Sequence, residues 1–119
     1  MKPKVYIESS VISYLTARPS NDLIKAARQS ITEVWWSENL QYFSVYVSEL
    51  VEQEIAQGNR EAAAQRLAIT AHIKNLSISK EAQAIAERLI SALAVPIKSK
   101  EDALHIGITA ANSIDFLLT

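Results

Sequence analysis

The sequence predicts a single α/β domain in three layers, with helices on both faces of a mostly parallel sheet of about four strands. Three observations carry that expectation. Short β-branched and aromatic runs, at residues 5–7, 42–47, 76–78 and 114–118, alternate with longer segments of helical periodicity. No short hairpin turn joins two of these runs, so each return to the sheet needs a crossover. With 2 glycines and 3 prolines in 119 residues, the chain also lacks the tight-turn residues of an all-β fold.

Val5-Tyr6-Ile7 suits a buried strand, and Glu8 follows it directly. Residues 9–15 read as a short helix, and Arg18-Pro19-Ser20-Asn21-Asp22 as a turn in which Asp22 caps the next helix. Along that helix Ile24, Ala27, Ile31, Val34 and Trp35 recur at helical spacing, which predicts a core-facing stripe. Trp36 projects about 100° away from it and is read either as an anchor at a partner surface or as part of a frayed helix end or a contact with a neighbouring helix. Residues 42–47 form the second strand. Ser48 then caps a helix that runs to Gln57 and stops at Gly58. Residues 60–73 make an alanine-rich helix, 76–78 the third strand, and Ser79 caps a helix over 80–93. Val95-Pro96-Ile97 breaks the pattern. Residues 101–112 return to helix, and 114–118 form the last strand.

Composition bounds the function classes. Apolar residues make up 49% and charged residues 21%, as in ordinary globular domains. Cysteine is absent, which excludes disulfides and thiolate metal sites. No stretch approaches the roughly 20 apolar residues of a membrane span. Met1-Lys2-Pro3-Lys4 leads into a strand rather than a signal-peptide core, so a cytoplasmic location is expected. Twelve basic and 13 acidic residues give a net charge of −1, so a nucleic-acid partner would need a local basic patch. Arg18, Lys25 and Arg28 are one candidate group, and Lys98 and Lys100 another.

Three acids stand apart from those on solvated helix faces. Glu8 ends the first strand and so sits at the carboxyl edge of the sheet, where ligand sites of parallel sheets lie. Glu54 falls inside the apolar stripe of Leu50, Val51 and Ile55, where a carboxylate needs a cation or a hydrogen-bond partner. Asp102 opens the 101–112 helix; the helix dipole favours an acid there, but the position also lies near the carboxyl side of the sheet. Converging carboxylates repel unless a cation neutralises them, and hard oxygen ligands suit Mg²⁺ or Mn²⁺. Such a site can lower the pKa of a bound water and hold a phosphodiester for in-line attack. His105 reads as lying on the more polar side of its helix. With no second histidine nearby, neither it nor His72 fits a zinc site or a nucleophile–histidine pair.

These residues carry a resemblance to PIN-domain proteins, in particular the VapC-like toxins of bacterial type II toxin–antitoxin systems. The first motif is a hydrophobic strand, an acid and small polar residues, here Val5-Tyr6-Ile7-Glu8-Ser9-Ser10, although the family usually has aspartate where this chain has Glu8. The second is a serine-capped helix with a glutamate further in, matched at Ser48 and Glu54. The third is an aspartate opening a small-residue helix, from Asp102 to Ala111. The fourth begins at Phe116-Leu117-Leu118-Thr119 and in the family continues to a further acid, so the chain is expected to lack a carboxyl-terminal segment.

The resemblance spans essentially the whole chain and implies a three-layer PIN-like fold over residues 1–119. It implies a Mg²⁺- or Mn²⁺-dependent endoribonuclease that hydrolyses RNA with a metal-bound water. Glu8, Glu54 and Asp102 would be the catalytic and metal-binding acids, with Ser10 beside the metal water or phosphate. RNA and a cognate antitoxin are the implied partners; a homodimer is left open, and no membrane is involved. Glu8 in place of aspartate keeps a second reading in play, a catalytically degenerate PIN scaffold that binds RNA or an antitoxin-like protein. A receiver-like phosphoacceptor domain ranks last, because no aspartate ends the 76–78 strand before Ser79-Lys80.

Overall fold

The apolar run at residues 5–7 has no polar alternation, so it must be covered on both faces. The structure, a computed structural model, describes residues 1–92, 96 and 99–119. In it the run forms an inner strand, β1 (Lys4–Ile7), with Val5, Tyr6 and Ile7 all buried. The chain continues through α1 (Ser9–Thr16), α2 (Leu23–Asn39), a 3₁₀ turn (Leu40–Tyr42), β2 (Ser44–Ser48), α3 (Glu49–Ile55) and α4 (Arg60–Thr70). It then forms β3 (Lys74–Leu76), α5 (Lys80–Ser91), α6 (Lys100–Ala111) and β4 (Phe116–Leu118).

All strand pairs among the described residues are parallel, in the order β3-β2-β1-β4, with Val5 opposite Val45 on one side and Phe116 on the other. Right-handed crossovers put α1 to α4 on one face, and the return past β1 to β4 puts α5 and α6 on the other. The fold is thus the expected three-layer α/β/α arrangement, with four strands among the described residues. Its core gathers Val5, Tyr6, Ile7, Val11, Ile12, Val47, Leu50, Val51, Ile55, Ala82 and Ile108.

Local chemistry sets the element starts. The Asp22 carboxylate accepts the Ile24 and Lys25 amides, and the Ser48, Asn59 and Ser79 side chains accept the Val51, Ala62 and Ala82 amides. At the end of α6, Ser113 adopts φ 53°, its amide donates to the Ala110 carbonyl, and the Ile114 amide donates to the Thr109 carbonyl. That pair of bonds is a Schellman closure, and it turns the chain into β4.

Several expectations need correction. The second strand starts at Ser44 rather than 42, because Leu40–Tyr42 closes a 3₁₀ turn. The third strand lies two residues earlier than 76–78, and the preceding helix stops at Thr70. The stripe of α2 does not face the core: Ile24, Ile31 and Val34 are 67%, 69% and 50% exposed. Gln29 turns inward instead, donating to the Arg18 carbonyl and accepting the Ser20 amide, so the 18–22 turn fixes the roll of the helix. Trp36 is half-buried against the core, as is Trp35, whose ring lies 5.6 Å from that of Phe43. The expected break at Val95 and Ile97, position 93 of the expected 80–93 helix, and Lys98 lie outside the described residues.

Candidate functional site

Where β1 and β2 end, three elements bring titratable groups together. Glu8 leaves β1 and is the N-cap of α1, its carboxylate accepting the Ser10 amide at 3.3 Å. Its Oε2 also accepts the Ser10 and Thr119 hydroxyls at 2.6 and 3.0 Å, while among the described residues Oε1 accepts only the Ser9 hydroxyl, at 2.7 Å. Oε2 is therefore saturated, and Oε1 keeps a free lone pair. Burial works against the charged form of Glu8, but the hydrogen bonds from Ser10, Ser9 and Thr119 outweigh it and hold the carboxyl below its ordinary value.

Glu54 reaches the same place from α3. The serine cap starts that helix at Glu49, so a carboxylate at Glu54 projects from the half-buried flank beside Leu50, Val51 and Ile55. Its Oε1 lies 2.9 Å from Nε2 of His105 on α6. The His105 Nε2 is 3.9 Å from Glu8 Oε1, too long for a hydrogen bond, so Glu54 is its partner. The ligand-capable atoms of Glu8, Glu54 and His105 all lie within 4.8 Å of one another.

Asp102 is placed differently. It is exposed in the first turn of α6 and lies outside that tight group, but it lines a cavity of about 310 Å³ together with Glu8, His105, Ile106, Leu117 and Thr119. A second cavity, of about 400 Å³, shares Thr119 and is lined by Val11, Tyr14, Arg28, Ile31, Thr32, Trp35 and Leu118. Ser10 faces the Glu8 carboxylate and fixes its orientation. Lys25 and Arg18 are exposed on the α2 side; of that basic group only Arg28 lines the 400 Å³ cavity.

His105 is the residue that sequence reasoning missed. Far from lying on a polar side, it is 2% exposed, with Nδ1 2.6 Å from the Tyr6 hydroxyl. α6 is covered twice, by α5 along Ala103 and Gly107 and by the sheet along His105 and Ile108, which broadens its buried face beyond one stripe. The available signal was Tyr6: a tyrosine in a strand buried on both faces needs a hydrogen-bond partner for its hydroxyl.

The donor set suits a hard divalent cation. Carboxylate oxygens of Glu8 and Glu54 lie within 4.8 Å of one another at the sheet edge, Asp102 lines the cavity beside Glu8, and the set holds no thiolate and no second imidazole. Few protein ligands and room for water match Mg²⁺ or Mn²⁺ better than a closed zinc site.

No protein-family model matches the chain, and no curated protein shows significant sequence similarity to it. Solved structures do share its fold. The chain is similar to the VapC20 toxin of Mycobacterium tuberculosis, which cleaves the sarcin–ricin loop, with 16% identity over 96% of this chain and 87% of that one and a TM-score of 0.68. It is also similar to a chain of the VapBC2 complex of Rickettsia felis, solved on a DNA fragment from its promoter, with 10% identity over 96% and 86% and a TM-score of 0.61. At this identity the likeness is one of fold, and the fold is the PIN-domain, VapC-like one.

Proposed function

We propose, for a chain with the VapC-like fold, that it is a metal-dependent ribonuclease of the toxin type, working in the cytoplasm under the control of a cognate antitoxin. The observation that carries this reading is the convergence of Glu8 and Glu54 at the carboxyl edge of the parallel sheet, with Asp102 lining a cavity that Glu8 also lines. Glu8, Glu54 and Asp102 would hold the cation, Mg²⁺ or Mn²⁺. When bound, that cation supplies water activation and neutralises the phosphodiester under attack.

The remaining chemistry belongs to the chain itself. Ser10 and Thr119 occupy Oε2 of Glu8 and so leave Oε1 as the oxygen available to a cation. Because those donors favour the anion, Glu8 is charged across the neutral range. A strand of RNA lying across Thr119 would place one phosphate at the acids and a neighbouring one beside Arg28, whose guanidinium neutralises it.

The test is cleavage of labelled RNA by purified protein with Mg²⁺ or Mn²⁺. Cutting is expected with the metals and is expected to disappear with chelator, with Glu54→Gln and with Asp102→Asn. Protein that binds RNA yet cuts none with either metal overturns the nuclease reading in favour of a scaffold that binds without cutting.

A further inference from the structure

A carboxylate oxygen can only accept, so the 2.9 Å contact between His105 and Glu54 requires a proton on Nε2. In the neutral ring Nδ1 is then an acceptor, and its partner, the Tyr6 hydroxyl at 2.6 Å, must donate to it. That commits the only proton of Tyr6, so the Tyr6 oxygen accepts from the Ser48 hydroxyl at 2.7 Å. Ser48 in turn accepts the Val51 amide at 3.2 Å. Each donor meets one acceptor, and all the bonds run in one direction, from the start of α3 through β1 to α6 and back to α3.

The opposite arrangement fails on the same count. A proton on Nδ1 would turn the Tyr6 hydroxyl toward Ser48, and the Ser48 hydroxyl would then have no acceptor among the described residues. Tyr6, Ser48 and His105 are all buried, at 0%, 0% and 2% exposure, where an unpaired polar group is costly.

We propose that His105 is a positioning residue for Glu54: its Nε2–H fixes the carboxylate that faces Glu8, and Tyr6 and Ser48 lock the imidazole in the form that makes this bond. With its proton on Nε2 the ring has no lone pair to offer a cation, so His105 orients a ligand without being one, and the cation meets oxygen only. The inference rests on the nuclease reading in one respect, that Glu54 is a ligand of the cation. Loss of an outer partner of this kind lowers metal affinity by about 10- to 100-fold.

Three measurements on the full chain test it. Nitrogen-15 spectra of the metal-free protein should show His105 protonated on Nε2; a proton on Nδ1 instead overturns the proposal. Calorimetry with Mn²⁺ should show affinity falling about 10- to 100-fold in His105→Phe. His105→Gln, whose amide can still donate to Glu54, should recover most of that loss; wild-type affinity in His105→Phe overturns the proposal. Pulsed electron paramagnetic resonance of the Mn²⁺-loaded wild type should show no directly bound imidazole nitrogen, and a strong nitrogen coupling that His105→Gln removes makes His105 a ligand instead. If His105→Phe does not fold, the spectra of the wild type still decide. Wild-type protein that binds no Mn²⁺ defeats the nuclease reading instead, and the tautomer in the metal-free protein decides the positioning role independently.

Discussion

Gly107 sits in the middle of α6, where a glycine costs helix stability, and Gly107→Ala tests why it is there. A methyl group at this position would run into the carbonyl oxygen of Ala82 on α5, and would lie 3.2 Å from the Ala82 carbonyl carbon and 3.4 Å from the Ala86 amide nitrogen. These are backbone atoms, so no side-chain rotation relieves the overlap. α6 and α5 would have to separate by about 1 Å to restore ordinary contact. Alanine gains about 1 kcal/mol of helix propensity over glycine. Overpacking against a rigid neighbour costs about 3 kcal/mol, at the upper end of the usual range. The net expectation is a loss of about 2 kcal/mol, which for a domain of this size lowers Tm by about 8 °C. Urea denaturation followed by circular dichroism, with an unchanged slope, measures it. A Gly107→Ala variant as stable as the wild type, or more so, refutes the close approach of α5 and α6. Gly58→Ala is the useful control: its φ of 85° disfavours alanine, but nothing lies within 4 Å, so it should lose only about 1 kcal/mol.

Ser113 carries the strain of φ 53° at the end of α6, and Ser113→Gly should stabilise the protein by about 1 kcal/mol; a destabilised variant would show that the Ser113 side chain contributes more than its backbone costs. The carboxyl of Glu8 is held below its ordinary value, because its hydrogen bonds outweigh burial, so in metal-free protein it stabilises the fold above the ordinary carboxylate range and loses the contribution as pH falls through the lowered value. Glu8→Gln should therefore be less stable than wild type at neutral pH, with the gap closing in acid; a gap that widens in acid contradicts the assignment. Arg28→Ala should weaken RNA binding and reduce the slope of log affinity against log salt by about 1, and an unchanged slope removes Arg28 from the RNA path.

What could be read from the sequence was local. Asp22, Ser48 and Ser79 are caps because a side chain two or three residues before an orphan amide can reach it, and that is written in neighbouring positions. β1 was legible because a strand covered on both faces cannot alternate. The short outer strand β3 lies two residues earlier than expected and β4 starts two residues later, because little burial pins their ends. The helical stripe on α2 is real, yet periodicity states only that a face exists; the anchoring of Gln29 by the 18–22 turn decides which side is covered. Glu8 and Glu54 were found because a carboxylate at a strand end or in an apolar stripe is out of place by itself. His105 was missed because its partners Glu54 and Tyr6 are 51 and 99 residues away, and no window along the chain contains both.

The hydrogen bond from Thr119 to Glu8 joins residues 111 positions apart, and β1 takes β4 as its second neighbour across a similar separation. Closing so long a loop is an entropic barrier that many later contacts must offset, so pairing of this kind belongs to the slow part of folding. A chain still emerging from the ribosome can expose β1, α1 and α3, and with them Glu8 and Glu54, while His105 and Thr119 remain unmade. The acids are then present without the groups that orient them. The order of synthesis thereby delays assembly of the site until β4 has docked beside β1.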